Sequence, residues 1–82
     1  MTTHESTWDE GDGALTRLFR FDGFVEAFAF MTRVALTAQR HDHHPDMSIS
    51  WNEVTVTSTS HDTGRTVTDR DRRLAAAIDG LA

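Results

Sequence analysis

The sequence lacks cysteine, and this absence excludes several ways of stabilising or using a small protein. Without a thiol, the 82-residue chain has neither disulfide bonds nor thiolate ligands for a metal ion. A thiol-based redox function is excluded, and nothing in the cysteine usage indicates an oxidising compartment. A domain of this size buries only about 60–65% of its unfolded surface. Self-association is therefore an expected additional source of stability.

Basic residues are few. The chain has 8 lysine and arginine residues against 13 aspartate and glutamate residues, which gives a formal net charge of −5. Domains that bind nucleic acid usually carry a basic face, so direct binding to nucleic acid is not expected. The basic cluster of Arg70, Arg72 and Arg73 alternates with Asp69 and Asp71 and is interpreted as a solvated helix face.

Long apolar runs are missing as well. The longest apolar stretch, residues 25–31, is interrupted by Glu26 and is much shorter than the roughly 20 residues that span a bilayer. The first residues are polar and acidic and lack the basic start and apolar run of a secretion signal. We expect a cytoplasmic protein without a membrane partner. Residues 1–12 are predicted to be a flexible polar tail with Trp8 as its anchor, and residues 13–82 to be one domain.

Apolar periodicity within residues 13–82 predicts the order strand, helix, strands, helix. Alternation over residues 14–21 predicts the first strand, and Asp22 is the expected N-cap of a helix that extends to residue 40. Residues 47–51 and 54–59 also alternate and predict two strands or one strongly bent strand. Thr68 and Asp71 have the spacing of a capping box, which predicts the start of a second helix. This order favours an α+β fold, with an antiparallel sheet and helices on one face.

The first predicted helix carries a broad apolar stripe. Its apolar residues recur at spacings of three and four, at Phe24, Ala27, Phe28, Met31, Val34, Ala35 and Ala38. We interpret the stripe as core packing. Phe30 and Leu36 widen it, and the helix is therefore expected to be covered on more than one side.

Histidine is concentrated in one segment. The His-Asp-His-His-Pro run at residues 41–45 holds three of the five histidines, and His61 follows at the end of a strand-like run. Histidine has an unperturbed pKa of about 6.5 and exchanges protons near neutral pH, and the proline places the cluster in a turn at the end of the helix. Three interpretations stay open on these residues: acid–base catalysis oriented by Asp42 or Asp62, a metal site, and a polar surface loop.

The histidine motif and its spacing have a further implication. A tryptophan, Trp51, stands six residues after the proline of the His-His-Pro motif at residues 43–45, and His61 stands ten residues after the tryptophan. Further segments match in order: Phe19-Arg20-Phe21, residues 24–38, Trp51-Asn52-Glu53-Val54, Ser60-His61-Asp62 and Leu74-Ala75. Over residues 8–82 the chain resembles the pterin-4a-carbinolamine dehydratases. In eukaryotes this family also serves as a dimerisation cofactor of a homeodomain transcription factor.

The resemblance implies a fold and an activity. The fold is an antiparallel sheet of about four strands with two helices packed on one face, assembled as a homodimer or homotetramer. The activity is the acid–base dehydration of 4a-hydroxytetrahydrobiopterin, or a related pterin 4a-carbinolamine, to a quinonoid dihydropterin in the recycling of tetrahydrobiopterin. Neither a metal nor an organic cofactor is implied, and the partners are the pterin substrate and further copies of the chain. A non-catalytic dimerisation or assembly module on the same fold is the alternative.

Carried over position by position, the resemblance implies roles for seven residues. His43 and His61 are the acid–base pair around the 4a-hydroxyl group, and His44 lines the pocket and helps to bind the pterin. The residues that orient the histidines or shape the site are Asp42, Pro45, Trp51 and Asp71. Among these, the proline fixes the turn and the tryptophan forms a wall of the site.

Two departures from the family pattern bear on this site. Gln39 stands where the family usually has an acidic or charged residue. The turn over residues 62–68 is one residue longer than usual, and it is expected to shift His61 relative to Asp71.

Overall fold

The computed structural model describes residues 8–82, and within them it contains four strands and two α-helices. In chain order these are β1 (Asp9–Gly11), β2 (Ala14–Arg20), α1 (Phe24–His41), β3 (Asp46–Ser50), β4 (Glu53–Ser58) and α2 (Asp69–Asp79). A short 3-10 turn, His61–Thr63, lies between β4 and α2. The predicted α+β fold is confirmed, and residues 47–59 form two strands rather than one bent strand.

The sheet is antiparallel throughout, with the strand order β1-β2-β4-β3. Alternate side chains of a strand point to opposite faces of the sheet, and both helices cover one face. The core between the sheet and the helices includes Phe19 of β2, Val54 and Val56 of β4, Phe30 of α1 and Leu74 of α2. Burial of a large apolar side chain stabilises a fold by about 1.5–3 kcal/mol, so these residues hold the two layers together.

Residues 9–11 correct the prediction that residues 1–12 form a tail. They form β1, which pairs with β2 from Asp9↔Thr16 to Gly11↔Ala14. The two residues between the strands, Asp12 and Gly13, both have positive φ angles, 53° and 76°, as a tight hairpin turn requires. Strand pairing therefore orders a polar segment that has no apolar pattern of its own. Residues 1–7 lie outside the described part of the chain.

The predicted anchor at Trp8 is confirmed. Its ring packs edge-on against Phe19 at 6.0 Å between centroids, and its Nε1–H donates a hydrogen bond of 2.9 Å to Oδ1 of Asp79. The same carboxylate oxygen accepts a bond of 2.6 Å from the buried guanidinium of Arg17. The indole thus ties the start of the described chain to the end of α2.

The buried face of α1 is narrower than predicted. Ala27, Phe30, Val34, Thr37 and Ala38 are buried against the sheet and α2, which is a single face of the helix. The expectation that the helix is covered on more than one side is wrong within the described chain. A second apolar face stays exposed, and its large members are Phe24, Val25, Phe28 and Leu36.

The start of α1 also differs from the prediction. Gly23, with extended backbone angles, occupies the N-cap position instead of Asp22, and no side chain caps the helix. Neither helix in the described part of the chain combines the length and apolarity that crossing a bilayer demands.

The register of the sheet decides which loops become neighbours. β3 begins beside the end of β4, with Asp46 paired to Thr57. The segment that joins α1 to β3 and the segment that leaves β4 therefore meet at one end of the sheet. All the histidines of the predicted site lie on these two segments.

Candidate functional site

The end of α1 turns the chain so that the side chain of His43 points inward. The helix stops at His41 because the next residue, Asp42, adopts left-handed backbone angles (φ 52°, ψ 42°) and cannot continue a right-handed helix. The backbone N–H of His43 still donates to the carbonyl of Ala38, at 3.1 Å. After this reversal the side chain of His43 is 8% exposed, whereas His44 stays on the surface.

The start of α2 supplies the partner of this histidine. Asp71 lies in the first turn of the helix and accepts the backbone N–H of the N-cap residue Thr68 at 2.9 Å, so the predicted capping box is confirmed. The same carboxylate is fully buried, and its Oδ1 lies 2.6 Å from Nε2 of His43. One side chain therefore both begins a helix and holds a histidine ring.

Two serines complete the shell around the carboxylate. Ser58 donates to Oδ1 of Asp71 at 2.6 Å, and Ser60 donates to Oδ2 at 2.7 Å. Burial by itself raises the pKa of a carboxyl group. The hydrogen bonds donated by Ser58, Ser60, Thr68 and His43 outweigh burial and hold the pKa of Asp71 well below its usual range.

The ionised carboxylate determines which ring nitrogen of His43 carries a proton. A carboxylate only accepts hydrogen bonds, so Nε2 of His43 must be the donor in the 2.6 Å contact. In the neutral ring, Nδ1 is then the unprotonated nitrogen and the one available to accept a proton.

The two histidine segments enclose an open cleft of about 390 Å³, which we call the histidine cleft. Its lining residues are Asp42, His43, His44, Thr59, His61, Asp62 and Arg70. The structure thus brings together all three predicted catalytic histidines and Asp42. Asp71 lies behind His43, and Pro45 leads from the cleft into β3. The catalytic roles themselves stay predictions.

Trp51 is placed elsewhere. It begins the two-residue turn between β3 and β4, at the far end of β3 from Pro45, and five residues of strand span about 16 Å. Its side chain is 66% exposed, and it does not line the histidine cleft. The prediction that Trp51 forms a wall of the site is therefore wrong for the cleft of this chain, because the hairpin carries the residue away from it.

Gln39, one of the two departures from the family pattern, also lies beside the site. Its Oε1 is 2.9 Å from Nε2 of His44, so a neutral amide supports this ring. Within residues 8–82, no group of three or more histidine, aspartate or glutamate side chains is placed to hold a metal ion.

The sequence reading did not identify Ser58, Ser60 and Arg70. The two serines continue the buried face of β4, at every second residue after Val54 and Val56. Polar residues at buried positions of such an alternation indicate that they hydrogen-bond to another buried polar group. Arg70 is exposed on its helix, as predicted, and it also lines the cleft. The two groups that accept hydrogen bonds from Arg70 lie in the segments that carry His43 and His61. No pattern within α2 could therefore identify these contacts.

Comparisons with known proteins agree with this description. The family model for pterin 4 alpha carbinolamine dehydratase matches residues 1–81. A candidate pterin-4-alpha-carbinolamine dehydratase of Rhizorhabdus wittichii is 52% identical over 77 residues, covering 92% of this chain and 78% of that protein. A protein of the same description from Rhodospirillum rubrum is 56% identical over 68 residues, covering 83% of this chain and 70% of that protein.

Two solved structures share the fold. One is a transcriptional coactivator/pterin dehydratase from Brucella melitensis, with a TM-score of 0.85 and 38% identity over 92% of this chain and 81% of that chain. The other is a pterin dehydratase-like protein identified as a RuBisCO assembly factor in the alpha-carboxysome. Its TM-score is 0.78 over 98% of this chain and 96% of that chain, and at 24% identity this likeness concerns the fold alone. Since the family model spans nearly the whole sequence and the curated relatives are about half identical to it, the chain belongs to the pterin-4-alpha-carbinolamine dehydratase family.

Proposed function

We propose that this chain is a 4a-hydroxytetrahydrobiopterin dehydratase. The observation that carries the proposal is the convergence of His43, His44 and His61 on one cleft, with His43 bonded to the buried carboxylate of Asp71. Two imidazoles in different surroundings can hold different protonation states at one pH, so that one donates a proton while the other accepts one. A cleft of about 390 Å³ is also within the usual size range of small-molecule sites.

The dehydration requires one general acid and one general base. The bond between C4a of the pterin and its hydroxyl oxygen breaks while the lone pair of N5 forms a C4a=N5 double bond. The acid protonates the departing oxygen to give water, and the base removes the proton from N5. One proton is given and one is taken, so the reaction balances without an oxidant or a reductant.

We assign the base to His43 and the acid to His61. The hydrogen bond from Nε2 of His43 to Asp71 leaves Nδ1 free to take the N5 proton, and the carboxylate stabilises the imidazolium that results. His61 is exposed and can be reprotonated by water after each turnover. His44, held by Gln39, contributes to pterin binding.

Alanine substitutions test the acid–base pair. We expect His43→Ala and His61→Ala each to lower the dehydration rate by about 10²–10⁴-fold, the usual contribution of a general acid or base. The measurement is stopped-flow absorbance with a freshly generated 4a-hydroxypterin. His41→Ala is the matched control, because this exposed histidine ends α1 and does not line the cleft. Full activity in both cleft variants contradicts the assignment.

Self-association and a cytoplasmic location are parts of the same proposal. Phe24 and Phe28 stack at 6.2 Å between ring centroids and are each about half exposed, at 52% and 54%. Exposed apolar patches of this kind mark interaction surfaces, and a second copy of the chain can cover this one. Light scattering on the wild-type protein measures the mass of the particle in solution. A monomer at micromolar concentration contradicts the proposed self-association.

The exposed face of α1 also favours a second candidate function, a non-catalytic dimerisation or assembly module. This candidate requires a stable oligomer and no interaction between a pterin and the histidines. An NMR titration of the histidine ring signals with a stable dihydropterin analogue separates the two. Selective shifts at His43, His44 and His61 support the dehydratase, and no shift at millimolar ligand supports the module.

A further inference from the structure

Arg70, in the first turn of α2, bonds to both of the segments that carry the candidate catalytic histidines. Its Nη2 donates to the carbonyl oxygen of Asp42 at 2.9 Å, and its Nη1 lies 3.4 Å from Oδ2 of Asp62. Asp42 directly precedes His43, and Asp62 directly follows His61. We propose that Arg70 is a positioning residue that holds the two histidine segments at a fixed separation across the cleft. The catalytic consequence rests on the proposed dehydratase function.

On the first segment, Arg70 completes the hydrogen bonding of one peptide group. The N–H of His43 donates to the carbonyl of Ala38 at 3.1 Å, and the carbonyl of Asp42 accepts from Arg70. The peptide between Asp42 and His43 is thus held at both of its polar groups. Asp42 has left-handed backbone angles, which a residue other than glycine adopts at an energetic cost, so this turn needs contacts that hold it.

On the second segment, Ser60 is held to Asp71 of α2 at 2.7 Å, and the residues that follow it form a turn closed by internal hydrogen bonds. The N–H of Gly64 donates to the carbonyl of His61 at 3.1 Å, and Oγ1 of Thr63 donates to the carbonyl of Ser60 at 3.2 Å. Both bonds stay within residues 60–64. The contact between Asp62 and Arg70 leads out of this turn towards α2 and the other segment.

An arginine suits this role because its guanidinium is planar and donates from separate nitrogens in a rigid fork. Nη1 serves one segment and Nη2 the other. The contacts are partly exposed, and exposed ion pairs contribute little to folding stability. The expected effect of Arg70 is therefore on the geometry of the cleft and not on the stability of the fold.

The kinetic test separates positioning from substrate contact. We expect Arg70→Ala to lower kcat about tenfold and to change KM less than about twofold, since a shift of about 1 Å between reacting groups can cost up to roughly 10²-fold in rate. Arg70→Lys restores the charge but not the fork, and should recover only part of kcat. A large increase in KM with an unchanged kcat overturns the proposal, because Arg70 then acts by binding the pterin.

Two further variants control for charge and for the partner. Arg72→Ala removes the same charge from the same helix, but Arg72 pairs with Glu10 at 3.1 Å and does not line the cleft. It should leave kcat unchanged. Asp62→Ala breaks the link from the other side, so the double variant with Arg70→Ala should be no slower than Arg70→Ala alone. Additive losses in the double variant contradict a shared link.

A structural readout keeps this test independent of the dehydratase activity. Amide signals in residues 42–44 and 61–64 should shift together, and their hydrogen exchange should rise, in Arg70→Ala but not in Arg72→Ala. If the wild-type protein does not dehydrate pterins, the proposed function is wrong. The amide signals and the hydrogen exchange still test the positioning role of Arg70. Unchanged signals in both segments of Arg70→Ala overturn it.

Discussion

Replacing Asp71 with asparagine probes the buried carboxylate with the smallest change in shape. The substitution keeps one side-chain oxygen and exchanges the other for an NH₂ group. In the protein, Oδ1 of Asp71 accepts from His43 and Ser58, and Oδ2 accepts from Ser60 and from the backbone N–H of Thr68. An amide cannot accept on both sides, so one pair of donors loses its acceptor.

The size of the effect follows from this loss. If the amide oxygen keeps His43, the NH₂ group faces the N–H of Thr68, and an unsatisfied buried donor costs about 1–3 kcal/mol. The bonds that survive are no longer to a charged acceptor, and charge-assisted hydrogen bonds are about twice as strong as neutral ones. We expect Asp71→Asn to lower the free energy of unfolding by about 2–4 kcal/mol near pH 7, which is a large fraction of the 5–15 kcal/mol typical of a domain.

The effect should depend on pH in a defined direction. The pKa of Asp71 is lower in the folded state than in the unfolded chain, so its ionisation stabilises the fold fully above the unfolded value of about 3.9. That contribution is lost as the pH falls through the folded value. The stability difference between wild type and Asp71→Asn should therefore shrink as the pH falls below about 4.

Urea unfolding followed by circular dichroism measures these differences at equal protein concentrations. Asp69→Asn is the matched control, because it removes the same charge from the same helical turn at an exposed position. It should change the free energy of unfolding by less than about 1 kcal/mol. A loss below 1 kcal/mol in Asp71→Asn, or a difference that does not shrink in acid, refutes the role given to the buried carboxylate.

Two further predictions concern exposed residues. Trp51 is 66% exposed and has a φ of 51°, a conformation that costs a residue of this type about 1–2 kcal/mol and that asparagine tolerates. Trp51→Asn should therefore raise the free energy of unfolding by about 0.5–1 kcal/mol in a thermal denaturation experiment, and a lower melting temperature contradicts this reasoning. Phe28→Glu places a charge on the exposed face of α1 and should reduce the mass measured by light scattering. Leu18→Glu, on the opposite face of the sheet, should not, and equal masses for the two variants would exclude an interface on α1.

Local patterns predicted most elements because period and turn chemistry act over a few residues. The alternation of β3 and β4 and the capping box at Thr68 and Asp71 are examples. β1 was missed for the same reason, since Asp9–Gly11 has no apolar residue and forms a strand only because β2 offers an edge after a tight turn. Its structure depends on a partner and not on its own composition.

Periodicity identified the apolar residues of α1 but not the side that faces the sheet. Phe24 and Phe28 were assigned to the core, yet the buried face centres on Phe30 and Val34. A helix that is apolar over much of its circumference allows several orientations. The choice among them follows from how the connections to β2 and β3 place α1 against Val54 and Val56.

The sequence by itself determined the fold class, the family and the histidines of the site, because these depend on residue identity and on spacing along the chain. Only the tertiary structure decided what surrounds each histidine. His43 and Asp71 are 28 residues apart and meet because the register of β3 on β4 brings the end of α1 to the start of α2. The same register places Arg70 at the cleft and Trp51 away from it, and spacing along the chain carries no information about such distances.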